Sequence, residues 1–256
     1  MIGDEYMDNA MENVKQAKAS FEKILDNKKY AGIIRDDKHL NVLLDMVKEG
    51  AYHKILDVGT GTGYLAFPLA EEYPDAMVYG IDIAENIVAK NNEIVKEKDM
   101  SNIVFKAFDG IKYPFEEETF DLIVTRFAFH HFPDVEDAIR QLQKMLVKGG
   151  KILISDPMRN ELDENEIIDD FMKVKKDGHI KFYSQRELEE LFESNGFTKE
   201  KQMLTSMKFP FAQKDEYIEV YNKTTATERE LYNIINENGV VWIKQIAIGN
   251  TIFIKG

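Results

Sequence analysis

Five short runs rich in β-branched and aromatic residues alternate with helical segments between residues 54 and 157, and this order constrains the fold more than any other feature of the sequence. Such alternation indicates βαβ units, in which helices cover a parallel sheet and each crossover is right-handed. We therefore expect an α/β domain. The predicted strands are KILDV at 54–58, MVYGID at 77–82, IVFKAF at 103–108, DLIVT at 121–125 and KILIS at 151–155.

Cap residues mark the helices that accompany these strands. Ser184 and Glu187 have the spacing of a capping box, and Pro133-Asp134 precedes a helix that Gly149-Gly150 is expected to end. The predicted helices lie near 63–73, 84–98, 135–147 and 184–195.

Two more helices are predicted ahead of the first strand. Apolar residues at irregular helical spacing predict the first over residues 4–29. The second has Asp36 or Asp37 as its N-cap, and Gly50 stands where a left-handed C-terminal residue is expected. The expected organisation is a helical cap at 1–50 on a core at 51–256.

The sequence after residue 196 predicts two further strands, around 197–209 and 240–254. A helical stretch is predicted between them, near 213–237. We treat residues 210–238 as an insertion before the last strand, because the segment carries no recognisable motif.

Composition narrows the classes of function. The chain of 256 residues has no cysteine, which excludes disulfide scaffolds and thiolate metal sites. An acidic N-terminus and the lack of an apolar run of about 18 residues argue against a secretory signal and a membrane span, so a cytoplasmic location is expected. A net charge of −13 without a basic cluster argues against nucleic acid. A small-molecule substrate is favoured, a protein substrate stays open, and a monomer or homodimer is expected.

A glycine-rich turn, Asp57-Val58-Gly59-Thr60-Gly61-Thr62-Gly63-Tyr64, lies between the first predicted strand and its helix. Glycines let a backbone approach a ligand closely. A dinucleotide fingerprint would need a third glycine at position 64, where the chain has Tyr64. The turn therefore departs from the dinucleotide pattern, and Asp57 is expected to point its carboxylate into the cleft.

Two more acidic residues stand at the ends of the next two strands. Asp82 can accept hydrogen bonds from both hydroxyls of a ribose, or it can cap the helix that follows. Asp109 can accept from an exocyclic amine, or it can simply turn the chain. Because the carboxyl ends of parallel strands share the ligand-binding edge of an open α/β sheet, three carboxylates there favour a ligand site.

The sequence resembles the class I S-adenosylmethionine-dependent methyltransferases, particularly the subgroup similar to ubiquinone/menaquinone-biosynthesis methyltransferases. The resemblance covers roughly residues 54–157 and implies a doubly wound, Rossmann-like, mostly parallel seven-stranded sheet with an antiparallel last strand and an N-terminal helical cap. The matching stretches are ILDVGTGTGYLAFPLA, VYGIDIAENIVAKNN, VFKAFDG and FDLIVTRFAFHHFPDVEDAIRQLQKMLVKGGKILISDP, with YSQRELEELFESNGF beyond them.

The resemblance implies S-adenosylmethionine as cofactor and assigns residues to its parts. Asp57 matches the position near the amino group and sulfonium, Asp82 the ribose acceptor, and Asp109 the acceptor for the adenine amine. Arg126 and Phe127 match positions whose backbone closes over the methionine end. The full set of implied cofactor-binding residues is Asp57, Gly59, Thr60, Gly61, Asp82, Ile83, Asp109, Gly110, Arg126 and Phe127.

Methyl transfer from a sulfonium often needs no dedicated base, so His130 and His131 are weak candidates for one. No metal is expected, because adjacent histidines on a loop rarely converge on one ion and no third ligand is apparent. Arg126 could hold an anionic acceptor or form a salt bridge. The other three histidines, His39, His53 and His179, are expected to be structural.

The acceptor pocket is expected under the N-terminal helices and residues 205–235. Its lining is expected to be apolar or aromatic, which favours an acceptor of that kind. Two alternatives to a methyltransferase stay open: a cofactor-binding protein without turnover, and a nucleotide-dependent oxidoreductase, against which Tyr64 argues. The candidate lining residues are Met203, Met207, Phe209, Phe211, Tyr217 and Tyr221.

Overall fold

The structure is a computed structural model that describes residues 2–23, 36–210 and 215–256. A single mixed sheet forms its centre. The strands of this sheet are β1 (Lys54–Val58), β2 (Met77–Asp82), β3 (Ile103–Ala107), β4 (Phe120–Arg126), β5 (Leu146–Pro157), β6 (Phe197–Pro210), β7 (Ile234–Glu237) and β8 (Val240–Lys255).

Seven of these strands follow one path in the order β3-β2-β1-β4-β5-β8-β6. The first five pair in parallel, whereas β8 is antiparallel to both of its neighbours, β5 and β6. The expected seven-stranded sheet with an antiparallel last strand is therefore confirmed. The eighth strand, β7, pairs only with β8.

Helices cover both faces of the sheet. Two of their caps confirm sequence predictions: Asp36 accepts hydrogen bonds from the backbone of Lys38 and His39, and Ser184 and Glu187 form the predicted capping box. The helices are α1 (Ile2–Phe21), α2 (Asp37–Val47), α3 (Ala66–Glu72), α4 (Glu85–Glu97), α5 (Val135–Met145), α6 (Ile167–Lys173), α7 (Gln185–Ser194), α8 (Asp215–Lys223) and α9 (Ala226–Glu230).

Two glycines have other roles than predicted. Helix α5 ends at Met145, and Gly149 lies in β5 with φ +73°, inside an irregularity where the β4–β5 register shifts. Gly50 is not left-handed. A Cβ there would lie 2.0 Å from Cζ of Tyr52, so close approach of this ring requires the glycine.

The predicted helical stretch at 213–237 is only partly helical. Helices α8 and α9 end at Glu230, and β7 then forms a hairpin with β8 through Asn238 and Gly239, which both have positive φ. Two consecutive left-handed residues are the geometry of a type I′ turn. Of the N-terminal helix predicted over 4–29, α1 ends at Phe21, and residues 24–29 lie outside the described residues.

Alternate residues of each central strand enter separate cores. Ile55 packs in a cluster with Leu43 of α2 and Leu69 of α3. Its neighbour Leu56 packs in a cluster with Leu142 of α5 and Phe192 of α7 on the opposite face. This two-sided burial fixes the strand register, since a slip by one residue would exchange the two faces. The division into a cap at 1–50 and a core stays a prediction.

A third apolar cluster joins α6, α8, β7 and β8. Of the residues expected to line an acceptor pocket, Tyr217 belongs to this cluster, and Met207 and Tyr221 pack against it. No helix in the described ranges is long and apolar enough to cross a membrane.

We expect Phe192→Ala to destabilise the fold strongly. The ring is fully buried and stacks on Phe253 of β8 with centroids 4.3 Å apart. Its removal leaves a cavity between helix and sheet, which should lower the free energy of unfolding by about 3–5 kcal/mol in urea titrations. Exposed Glu190 on the same helix provides the control, and Glu190→Ala should change stability little. Equal effects of both variants would contradict this packing.

Candidate active site

A cavity lies at the carboxyl ends of β1, β2 and β4, the edge where open α/β sheets bind ligands. Residues of α1 form a further wall of this cavity. Nine of the ten predicted cofactor positions line its walls: Asp57, Gly59, Thr60, Gly61, Asp82, Ile83, Gly110, Arg126 and Phe127.

The glycine turn is tied to β2 by its backbone. The amides of Gly59 and Thr60 both donate to the carbonyl of Ile81, at 2.9 and 3.0 Å. Gly59 has φ +67°, and a Cβ there would lie 2.4 Å from Cβ of Ala128. Gly61 has φ +50°, but a Cβ there would meet nothing within 4 Å. The first glycine is thus required by the packing of the protein, and the second leaves room at the cavity.

Asp57 is almost fully buried at the end of β1. Its Oδ2 accepts a hydrogen bond of 2.7 Å from Oγ1 of Thr60. Burial raises the pKa of Asp57 to about 7, and the nearby Asp82 carboxylate adds to the increase, although the bond from Thr60 opposes it. A cationic ligand group beside Asp57 would favour the ionised form.

Two backbone amides hold the carboxylate of Asp82. Its Oδ1 accepts from the amide of Ala84 at the start of α4, and its Oδ2 accepts from the amide of Gly61, at 2.9 and 2.8 Å. Burial raises its pKa, and these backbone bonds oppose the shift. A carboxylate oxygen has two lone-pair sites, so each oxygen retains capacity to accept from a ligand hydroxyl.

Asp109 is exposed and does not line the cavity. Its Oδ1 accepts from the amides of Ile111 and Lys112, at 2.9 and 2.7 Å, so its carboxylate organises the loop after β3. Its neighbours Phe108 and Gly110 line the cavity instead. With Ile83, they form an apolar wall.

Arg126 is buried between two aromatic rings. The carbon of its guanidinium lies 3.9 Å from the ring centroids of both Tyr64 and Phe127. Burial lowers the pKa of Arg126 to about 10, so the group stays charged at neutral pH. Phe127 has φ +55°, and its amide donates to the carbonyl of Ser155 at 2.9 Å. A non-glycine residue in the left-handed region at a cavity wall is typical of a functional site.

The two adjacent histidines point to different environments. His131 lines the cavity, and its ring meets Phe21 of α1 edge-on with centroids 5.1 Å apart. His130 lies behind it, where its Nδ1 is 2.8 Å from Oδ2 of Asp156. Burial lowers the pKa of both histidines well below the usual value and raises that of Asp156. Burial therefore favours the neutral form of both histidines.

Several residues of the site had no signal in the sequence. Asn91 of α4 is buried and donates to the carbonyl of Gly61 at 2.8 Å, which holds the turn from behind. Three residues of α1, Val14, Ala17 and Phe21, line the cavity.

The predicted lining from residues 205–235 is not found. None of the described residues in that range lines the cavity, and Phe211 lies outside the described residues. Met203 is partly exposed on β6, and nothing is described of the Phe209 side chain.

The described residues contain no group of three or more His, Asp or Glu side chains placed to hold a metal ion. The fit of an adenosyl ligand to the cavity is supported by other features. These are the open space beside Gly61, the buried carboxylates of Asp57 and Asp82, and the apolar wall at Ile83 and Phe108.

Comparisons with known proteins point in the same direction. The family model described as "Methyltransferase domain" matches residues 49–239. The uncharacterized methyltransferase YcgJ of Bacillus subtilis is 27% identical over 65% of this chain and 68% of its own length. The crystal structure of YcgJ superposes with a TM-score of 0.72 at 22% identity, covering 86% of this chain and 99% of that one.

Two further relatives carry more specific names. A demethylmenaquinone methyltransferase of Thermus thermophilus is 33% identical over 43% of this chain, which spans 50% of that enzyme. Haemonchus contortus phosphoethanolamine N-methyltransferase 2, solved with phosphomonomethylethanolamine and S-adenosylhomocysteine, has a TM-score of 0.61 at 18% identity, covering 92% of this chain and 60% of that one. Since the family model spans most of the chain, the protein belongs to the class I S-adenosylmethionine-dependent methyltransferases.

Proposed function

We propose that the protein transfers a methyl group from S-adenosylmethionine to a small apolar or aromatic acceptor, which binds in the cavity beside His131. The observation that carries the proposal is the convergence of the glycine turn, Asp82, Arg126 and His131 on one cavity. S-adenosylmethionine supplies an activated methyl group on a sulfonium, so the protein's own task is to bind and align.

The polar groups of the cavity can orient the cofactor. Asp82 is held by two backbone amides, which fixes its carboxylate for the ribose hydroxyls. Ile83 and Phe108 provide apolar surface for the adenine, and Asp57 lies near the methionine end. These positions agree with the order of the cofactor's parts from β1 to β3 that the resemblance implies.

The acceptor side of the cavity is mainly apolar. It is lined by Phe21, Phe127, Ala128, Phe132 and Pro133, whose side chains exclude water and favour an acceptor with apolar surface. The relative named for demethylmenaquinone supports an acceptor of this kind.

Proton transfer, where the acceptor needs it, falls to His131. Its ring lines the cavity, which places it within reach of an acceptor. Burial lowers the pKa of His131, which favours the unprotonated imidazole and also makes it a weaker base. His130 is a positioning residue, because its backbone amide and its Nδ1 both bind Asp156 and hold the turn that carries His131.

Turnover and binding test the proposal together. In the turnover assay, purified protein is incubated with S-adenosylmethionine and candidate acceptors, and the formation of S-adenosylhomocysteine is measured. In the binding assay, calorimetry gives the affinity of the protein for S-adenosylhomocysteine. Asp82→Asn places an amide group against a backbone N–H and should weaken S-adenosylhomocysteine binding at least about tenfold. Exposed Asp75 gives the matched control, Asp75→Asn. Binding without turnover on any acceptor would favour the alternative of a cofactor-binding protein, and no binding would refute the site.

Gly61→Ala should weaken cofactor binding without an exceptional loss of stability. Gly61 and Gly149 both have positive φ and open space for a Cβ, so alanine at either position should cost about 1–2 kcal/mol of backbone strain. Of these two glycines, only Gly61 lines the cavity, so only its new methyl group would meet the cofactor. Urea unfolding should therefore give similar stabilities for Gly61→Ala and Gly149→Ala. Calorimetry should show weaker binding of S-adenosylhomocysteine in Gly61→Ala alone. An equal affinity of both variants would show that the turn does not face the cofactor.

Cofactor affinity should rise with pH. Asp57 has a pKa of about 7 in the free protein, and the cationic methionine end of S-adenosylmethionine favours its ionised form. Binding then releases a proton below pH 7, and affinity should increase about tenfold from pH 6 to pH 8. Calorimetry at both pH values measures this change. Asp57→Asn should abolish the increase, and an unchanged slope in this variant would assign the titration to another group.

A further inference from the structure

A chain of buried polar side chains connects the cavity to β8, which lies beyond β4 and β5 in the sheet. Nε of Arg126 lies 3.3 Å from Nδ1 of His39, a residue of α2. Nε2 of His39 lies 3.0 Å from Oδ1 of Asn250 on β8 and 3.3 Å from Oγ of Ser155 on β5. His39, Arg126, Ser155 and Asn250 are all buried. None of His39, Ser155 and Asn250 lines the cavity.

The hydrogen-bond partners determine which nitrogen of His39 carries its proton. Nδ2 of Asn250 donates to the carbonyl of Met203 at 3.0 Å, so Oδ1 of the same amide must accept. Oγ of Ser155 donates to this Oδ1 at 2.8 Å, and Nε2 of His39 faces it as a second donor. The proton of neutral His39 is therefore on Nε2. Its Nδ1 then presents a lone pair to the Nε–H of Arg126.

This lone pair gives the Arg126 side chain a directional contact. The rings of Tyr64 and Phe127 hold the plane of the guanidinium. The bond from Nε to His39 lies within that plane and adds a preferred direction, which stacking does not supply. The imidazole is itself stacked on Phe127, with centroids 5.7 Å apart and planes at 28°.

We propose that His39 is a positioning residue, which directs the guanidinium of Arg126 toward the carboxylate at the methionine end of the cofactor. The proposal rests on the proposed function in taking the cavity as the cofactor site. His39 itself touches neither cofactor nor acceptor and acts only through Arg126.

The charge state of His39 agrees with this role. Burial lowers its pKa below the usual value and the nearby Arg126 lowers it further, whereas the bond to Asn250 and the carboxylate of Asp36 at the start of α2 oppose the shift. β5 and β8 present Ser155 and Asn250 to the ring, and neither side chain titrates. Protonation of Nδ1 would set the imidazolium N–H of His39 against the Nε–H of Arg126, two donors that both belong to cations. A drop in pH should therefore break the bond between His39 and Arg126.

Two substitutions of His39 separate positioning from simple packing. Oδ1 of asparagine lies near the place of imidazole Nδ1, so His39→Asn keeps an acceptor for Arg126 and loses the donor to Asn250. Nε2 of glutamine lies near the place of imidazole Nε2, so His39→Gln keeps the donor to Asn250 and loses the acceptor. Arg126→Gln gives the reference for complete loss of the guanidinium.

We expect His39→Gln to weaken S-adenosylhomocysteine binding at least about tenfold, close to the effect of Arg126→Gln, and His39→Asn to stay within about threefold of the unmodified protein. Melting temperatures of both variants report any change in folding. The opposite order, or equal loss in both variants, would show that His39 serves only to join α2 to β8 and would overturn the proposal.

A spectroscopic measurement tests the proposal without any ligand or turnover. In the unmodified protein, nitrogen NMR should show His39 protonated at Nε2 and unprotonated at Nδ1, with the Nε–H proton of Arg126 protected from exchange at pH 7. This protection should disappear in His39→Gln and persist in His39→Asn. A proton on Nδ1 of His39 would overturn the proposal even if methyl transfer is confirmed, and failure to find an acceptor would leave this result unaffected.

Discussion

The site depends on one set of backbone hydrogen bonds, which joins the glycine turn to the end of β2. Gly59 and Thr60 donate to Ile81, and Gly61 donates to the carboxylate of Asp82. These bonds place two consecutive strand ends at a fixed separation, so the carboxylates of Asp57 and Asp82 face one cavity. The parallel register of β1 and β2, with Asp57 opposite Gly80, sets this geometry before any ligand binds. A protein that supplies little chemistry itself needs such preorganisation.

The parts of the structure that could be predicted are those that local pattern determines. The parallel strands follow from apolar runs between turn residues, and the positions of Gly59, Gly61 and Asp82 follow from where those strands end. The hairpin of β7 and β8 was also within reach, since Asn238-Gly239 is the dipeptide that a type I′ turn favours. The helical prediction near 213–237 overlooked this turn.

Other parts rest on contacts between distant segments, which no local pattern reveals. Asp109 follows a strand as Asp82 does, but its carboxylate turns back onto the amides of Ile111 and Lys112. His39 has the appearance of an ordinary helix residue, because its partner Asn250 is 211 residues away in the sequence. The two histidines of the loop have different partners, since Asp156 binds His130 behind the cavity wall and Phe21 of α1 contacts His131.

Helix α1 forms one wall of the cavity through Val14, Ala17 and Phe21. Its described polar links to the domain are at the surface: an exposed ion pair between Lys18 and Glu85, and a bond from Asn86 to the carbonyl of Glu22. Exposed ion pairs contribute at most about 1 kcal/mol. If the cofactor binds as we propose, it lies beneath α1, and its release requires this helix to move. The release rate of the demethylated product should then depend on the packing of α1 as well as on the hydrogen bonds at the sheet edge.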